Sequence, residues 1–214
     1  VVSDGETVIL LECGISFRKI KKGLGFDLSN IRACLVSHEH KDHAKSVMDL
    51  IKSGVEVFAS EGTADALGCD LISAVADRVQ LQVGSLEIMP FATFHDAAEP
   101  LGFLIYSRTD GERLVFATDS VNLGYRFPGV NLLALEANRC LAVLTVKKGG
   151  EGGRSLPYLE RIRENTLRHF SWRAVLRLPR KRDAAALLAL CASARGFRMA
   201  AAAFAWIKRL GGRW

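Results

Sequence analysis

Cysteine is sparse in this chain, with five residues among 214, each standing alone (Cys13, Cys34, Cys69, Cys140 and Cys191) and no Cys-x-x-Cys pair. An odd, scattered set argues against a disulfide framework or a cysteine-built zinc clip and leaves small apolar core residues as the reading. Long hydrophobic runs are missing too: none approaches the roughly 18–20 residues a bilayer span requires, and no basic, apolar secretory start is present. A soluble, cytoplasmic protein without a membrane partner is expected. Tryptophan numbers only three, and Trp172, Phe204, Trp206 and Trp214 do not make a convincing base-stacking platform.

The net charge of +6 is not spread along the chain. From Trp172 onward ten Lys and Arg face Asp183 alone, a balance of +9, while residues 1–171 carry −3. The basic character therefore belongs to the carboxy-terminal segment, which is more simply a solvated extension than a grip on phosphates. The expected organisation is one domain over residues 1–171 followed by an Arg/Ala-rich tail over 172–214.

What the chain does have is clustered histidine. Four of its five histidines fall in two short phrases: His38, His40 and His43 in Ser-His-Glu-His-Lys-Asp-His (37–43), and His95 in Phe-His-Asp (94–96). Imidazole is the commonest neutral metal ligand, and Asp42 lies inside the first phrase.

Apolar patterning places these phrases. Thr7–Leu11 and Ala33–Ser37 read as buried strands, and the 3–4 spacing of Ala44, Val47, Met48 and Ile51 predicts a helix over Asp42–Lys52. Val55–Ala59 is a further strand and Glu61–Leu67 a short helix. Strands are expected over Arg78–Gln82, Ser85–Phe94, Leu101–Ser107, Arg113–Thr118 and Leu132–Leu135, with Asp110-Gly111 as a hairpin turn. Residues 147–153 read as a loop, Leu156–Leu167 as a charged helix, Ala184–Ala194 as a helix and Met199–Leu210 as a basic amphipathic one. Many short strands with interspersed helices suggest two sheets flanked by helices.

His38 and His40 then leave a strand end two residues apart and can pinch one ion, with His95 arriving from another strand. Asp42 and His43 face back from the next helix turn toward a second ion. Leu-Val-Phe-Ala-Thr-Asp (114–119) delivers Asp119 as a bridging carboxylate, at the roughly 3.5–4 Å metal separation of two-metal hydrolases. Zinc suits so nitrogen-rich a site, with manganese or iron as alternatives, and water on such ions loses its proton near neutral pH to become the nucleophile. Glu12 is expected to orient a ligand histidine, and Asp96 is either an acceptor for one or a turn residue.

The His38-x-His40-x-Asp42-His43 phrase, with His95 and Asp119, resembles the metallo-beta-lactamase superfamily over roughly residues 1–171. The resemblance implies an α/β fold of α+β type, a four-layer αββα sandwich with a dinuclear site at one edge. Leu-Leu-Glu-Cys-Gly (10–14), Phe-His-Asp-Ala-Ala-Glu-Pro-Leu-Gly-Phe (94–103), Phe-Ala-Thr-Asp (116–119) and Leu-Glu-Ala-Asn (135–138) resemble bacterial and phage members of its nuclease-like branch. A phosphodiester in nucleic acid is the implied substrate. A thioester, lactone or cyclic nucleotide, as a small ester substrate of the same fold, is the alternative.

Two departures matter. The family begins with a strand ahead of the segment that opens here, so the first strand is expected to be missing. His169-Phe170-Ser171 matches one family phrase and makes His169 a candidate proton donor or ligand beside Asp42, but no histidine follows it to supply the late ligand of the second metal. The change of composition at Trp172 resembles a reading-frame shift, and a degenerate, non-catalytic member is the third reading.

Overall fold

The computed structural model describes residues 1–120, 123–136 and 186–190. Its first sheet has the order β1 (Val2–Ser3), β2 (Val8–Leu11), β3 (Ile31–Leu35), β4 (Glu56–Ala59) and β5 (Ser73–Ala74). Only β1–β2 is antiparallel; β2 to β5 run parallel. A parallel sheet is covered on both faces, which is why β2 is apolar throughout and β3 is apolar but for the exposed Arg32 near its start: Ile9 and Leu10, and Cys34 and Leu35, point to opposite faces yet are all buried.

Helices α1 (Phe17–Gly23), α2 (Lys41–Ala44), α3 (Val47–Lys52) and α4 (Glu61–Leu67) connect these strands. Ile20, Val47 and Leu50 join Leu10, Cys34 and Val57 in one core cluster, and a leucine buried as fully as Leu50 contributes about 1.5–3 kcal/mol. The Cys34 thiol is pushed up by its hydrogen bond with Cys13 and by burial, so Cys34 is inert packing, and Cys13 is buried beside it.

The expected helix over Asp42–Lys52 is interrupted. Ser46 leaves helical geometry at φ −108 and ψ 18. Its N–H donates to the Cys13 carbonyl at 3.0 Å and its hydroxyl to the Ile15 carbonyl at 2.6 Å, so the break is a tether to the β2–α1 loop. By contrast α4 has the expected bounds. Ser60 accepts the Thr63 N–H at its start and Gly68 at φ 60 closes it.

The second sheet runs β11 (Ala186–Leu190), β10 (Leu132–Glu136), β9 (Arg113–Ala117), β8 (Leu101–Ser107), β7 (Leu86–Ala92) and β6 (Leu81–Val83). β6, β7 and β8 are antiparallel, and β10 pairs β11 in parallel. Residues 186–190 were expected to be helical and are a strand. A five-residue apolar run has no period that separates the two, and pairing with β10 decides it. The mixed sheets and helices form the α+β sandwich expected from the sequence.

Two compact units divide the chain, one of residues 1–92 and 96–114, the other of 93–95 and 115–214. Within the first, Asp4 clasps three turns. Its carboxylate accepts from Ser85 Oγ at 2.6 Å, Ser107 Oγ at 3.1 Å and Thr109 Oγ1 at 3.2 Å, as well as from the Thr7 N–H. Among the described residues no helix is long and apolar enough to cross a membrane.

Candidate metal centre

In the first unit the site grows from the end of β3. The chain leaves the strand through Val36, whose N–H donates to the Phe58 carbonyl at 2.9 Å, and delivers Ser37 and His38 into the interior. His38 is 1% exposed, and its Nδ1 lies 2.8 Å from Ser37 Oγ, a contact that fixes the orientation of the ring. His40 then caps α2 with its carbonyl, which accepts from the N–H groups of His43 and Ala44. That short helix turns His43 back toward His38.

Three imidazoles are thereby gathered. The ring centroid of His38 lies 4.6 Å from that of His40 and 4.2 Å from that of His43. Glu12, at the end of β2, supports them from behind. Its Oε1 accepts the Ser37 N–H at 3.2 Å, and its Oε2 lies 3.4 Å from His43 Nδ1. The other ring nitrogen, Nε2, is 3.7 Å from Asp42 Oδ2, on a side chain 79% exposed. Glu12 holds this position at φ 64, a left-handed conformation that costs a non-glycine residue about 1–3 kcal/mol.

Gly14 is part of the same construction. A Cβ there would overlap the Asp42 carbonyl oxygen and sit 2.6 Å from the His43 nitrogen. Only glycine lets the β2–α1 loop close on the Asp42–His43 backbone, where the Cys13 N–H also donates to the His43 carbonyl at 2.8 Å.

In the second unit His95 and Asp119 lie on neighbouring segments. The N–H of Phe94 donates to Ser120 Oγ at 3.0 Å, which ties the residue before His95 to the residue after Asp119. Asp119 is 6% exposed and held at φ 45. Asp96 is exposed. His169 lies outside the described residues.

Two sets of three residues carry donors for a divalent ion: His38, His40 and His95, and His38, His43 and Asp119. Asp42 is in neither set. Neutral imidazoles with a carboxylate fit a borderline transition ion better than a hard one such as magnesium. Glu12 was legible in the sequence as a strand-end carboxylate; Gly14, Ser37 and Ser120 were not singled out. The tight Cys-Gly and Ser-His steps were their signals.

Comparison with known proteins identifies the family. A family model described as a beta-lactamase superfamily domain matches residues 7–140, well over half of the chain. The chain belongs to the metallo-beta-lactamase superfamily. Among curated proteins it is 26% identical over 158 residues to exodeoxyribonuclease YycJ of Bacillus anthracis, covering 67% of this chain and 59% of that one. It is 27% identical over 153 residues to exodeoxyribonuclease WalJ of Streptococcus pneumoniae, covering 64% and 56%. The chain thus spans less than two thirds of the length of these relatives. The metallo-beta-lactamase-fold protein YhfI of Bacillus subtilis shares the fold, with a TM-score of 0.67 at 17% identity over 94% of this chain and 82% of that one.

Proposed function

We propose that this chain is a metal-dependent hydrolase of phosphodiester bonds in DNA. The observation that carries the reading is the imidazole trio of His38, His40 and His43 at centroid distances of 4.6 and 4.2 Å, backed by Glu12 and Ser37. The exodeoxyribonuclease names of the curated relatives support DNA as the substrate.

In this reading His38, His40 and His95 hold one divalent ion, and Asp42, His43 and Asp119 a second, with zinc favoured by the nitrogen-rich donors. Such ions supply Lewis-acid polarisation of the phosphoryl oxygens and acidify water. The chain's own residues do the rest. Ser37 keeps one nitrogen of His38 occupied so that the other faces the ligand position, and the Glu12 carboxylate stands 3.4 Å from His43 Nδ1. Asp42, exposed beside His43, is placed to take a proton from water, and His169 is the proposed donor to the leaving oxygen.

The test is hydrolysis of single- and double-stranded DNA beside a panel of thioesters and lactones, with zinc or manganese added, for the wild type and His40→Ala. Cleavage of DNA that His40→Ala loses is the expected result. Cleavage of the small esters alone would move the activity to the other substrate class. A protein that binds metal yet hydrolyses nothing would be a degenerate member.

A further inference from the structure

On the first unit, beside α2 and α3, lies an open cleft of about 230 Å³ whose walls include Glu39, Lys41, Lys45, Met48, Leu67 and Cys69. It is smaller than the roughly 300–1,000 Å³ of a pocket that encloses a whole drug-sized ligand. Its openness suits one residue of a polymer laid across it. Lys41 and Lys45 stand four apart, on one face of the α2 turn, and both are exposed. Neither takes part in an ion pair among the described residues.

The floor has a different character. Met48 is 45% exposed, unusually open for so apolar a side chain, with its sulfur 3.3 Å from Cys69 Sγ. Glu39 adds a third feature. Its Oε1 accepts the Ala98 N–H at 2.9 Å, whereas its Oε2 is buried and has no hydrogen-bond partner among the described residues. That oxygen is closed off from solvent, so Glu39 serves the cleft as a wall tied to Ala98 and offers no acceptor to a ligand.

These features are interleaved with the metal-ligand phrase. Glu39 separates His38 from His40, Lys41 follows His40, and Lys45 lies two residues after His43. We infer that the cleft seats one nucleotide of a single-stranded DNA substrate, with phosphates at Lys41 and Lys45 and the base over Met48 and Leu67. Two mobile ammonium groups recognise phosphate without reading sequence, and the thioether and aliphatic floor accepts any base face. The inference rests on the DNA-hydrolase reading above and assigns it a binding subsite.

The test is fluorescence anisotropy with zinc-loaded protein and phosphorothioate-linked single-stranded oligonucleotides, which resist cleavage, across a salt series. Lys41→Gln/Lys45→Gln is expected to bind about tenfold more weakly at low salt, and its plot of log affinity against log salt should be less steep by about 1.4, or about 0.7 for each phosphate no longer neutralised. A merely structural role for the lysines leaves that slope unchanged. A wild type that binds with a slope the double variant shares would overturn the subsite while leaving the nuclease reading intact. A wild type that neither binds nor cleaves any DNA ends both.

Discussion

Glu12 Oε2 lies 3.4 Å from His43 Nδ1, although the two residues come from different loops, one after β2 and one on α2. The carboxylate turns the imidazole so that its other nitrogen faces Asp42, and it holds Ser37 through the same side chain. Removing it should cost metal affinity more than fold. Glu12→Gln is expected to lower zinc affinity by about 10–100-fold, as loss of a group that orients a ligand histidine does. Competition titration with a chromogenic chelator reads this directly, and an unchanged affinity would show Glu12 to be structural only.

Gly14 makes a prediction about stability. A methyl group there runs into the Asp42 carbonyl oxygen, which is backbone and has no rotamer to yield. Gly14→Ala should therefore cost about 3 kcal/mol or more, at the upper end of overpacking effects. Urea unfolding is the measurement. A midpoint within error of wild type would mean that the loop closes by another path.

Asp4 gives a pH dependence whose sign follows from its partners. Desolvation pushes its carboxyl up, but hydrogen bonds from Ser85, the N–H groups of Thr7 and Glu6, and Ser107 together outweigh that and hold it well below the ordinary 3.8. At pH values just under 4 the unfolded chain therefore binds the proton more readily than the folded one. The stabilisation is complete above about pH 4 and fades as the pH falls further. Asp4→Asn should be less stable than wild type by about 1–2 kcal/mol at neutral pH, with the gap narrowing in acid. Thermal melts of both proteins between pH 7 and pH 2.5 would show it, and a gap that widens in acid would contradict the assignment.

Metal removal provides a readout independent of turnover. If the described donors hold zinc in the folded state alone, free zinc at about a hundred times its Kd should stabilise the wild type by about 2.7 kcal/mol relative to chelator-treated protein. His38→Ala should lose most of that increment, because His38 belongs to both donor sets. A zinc-dependent shift of equal size in that variant would place the ion elsewhere.

Several elements were legible because their cues are local. Helix α4 begins at a serine cap and ends at a glycine in left-handed geometry, and β8 spans the expected Leu101–Ser107. The interruption at Ser46 was not legible, since Ala44, Val47, Met48 and Ile51 keep helical spacing across it. The break depends on carbonyls of Cys13 and Ile15, about thirty residues away, and no local pattern reports a distant acceptor. Residues 186–190 are a strand for a similar reason: Ala-Leu-Leu-Ala-Leu fits either state, and β10 supplies the partner.

The sequence by itself determined the chemistry on offer, because ligand identity resides in side chains, and the spacing of His38, His40, Asp42 and His43 follows from two local periods. It also determined the family. Tertiary structure decided which groups stand behind those ligands: Glu12 at His43, Ser37 at His38, Ser120 against Phe94, and the absent side chain of Gly14 against Asp42. Those contacts join segments 26 to 31 residues apart, with the Ser37–His38 pair the local exception. Long-range closure depends on how strands pair and loops fold back, and the order of residues along the chain does not record it.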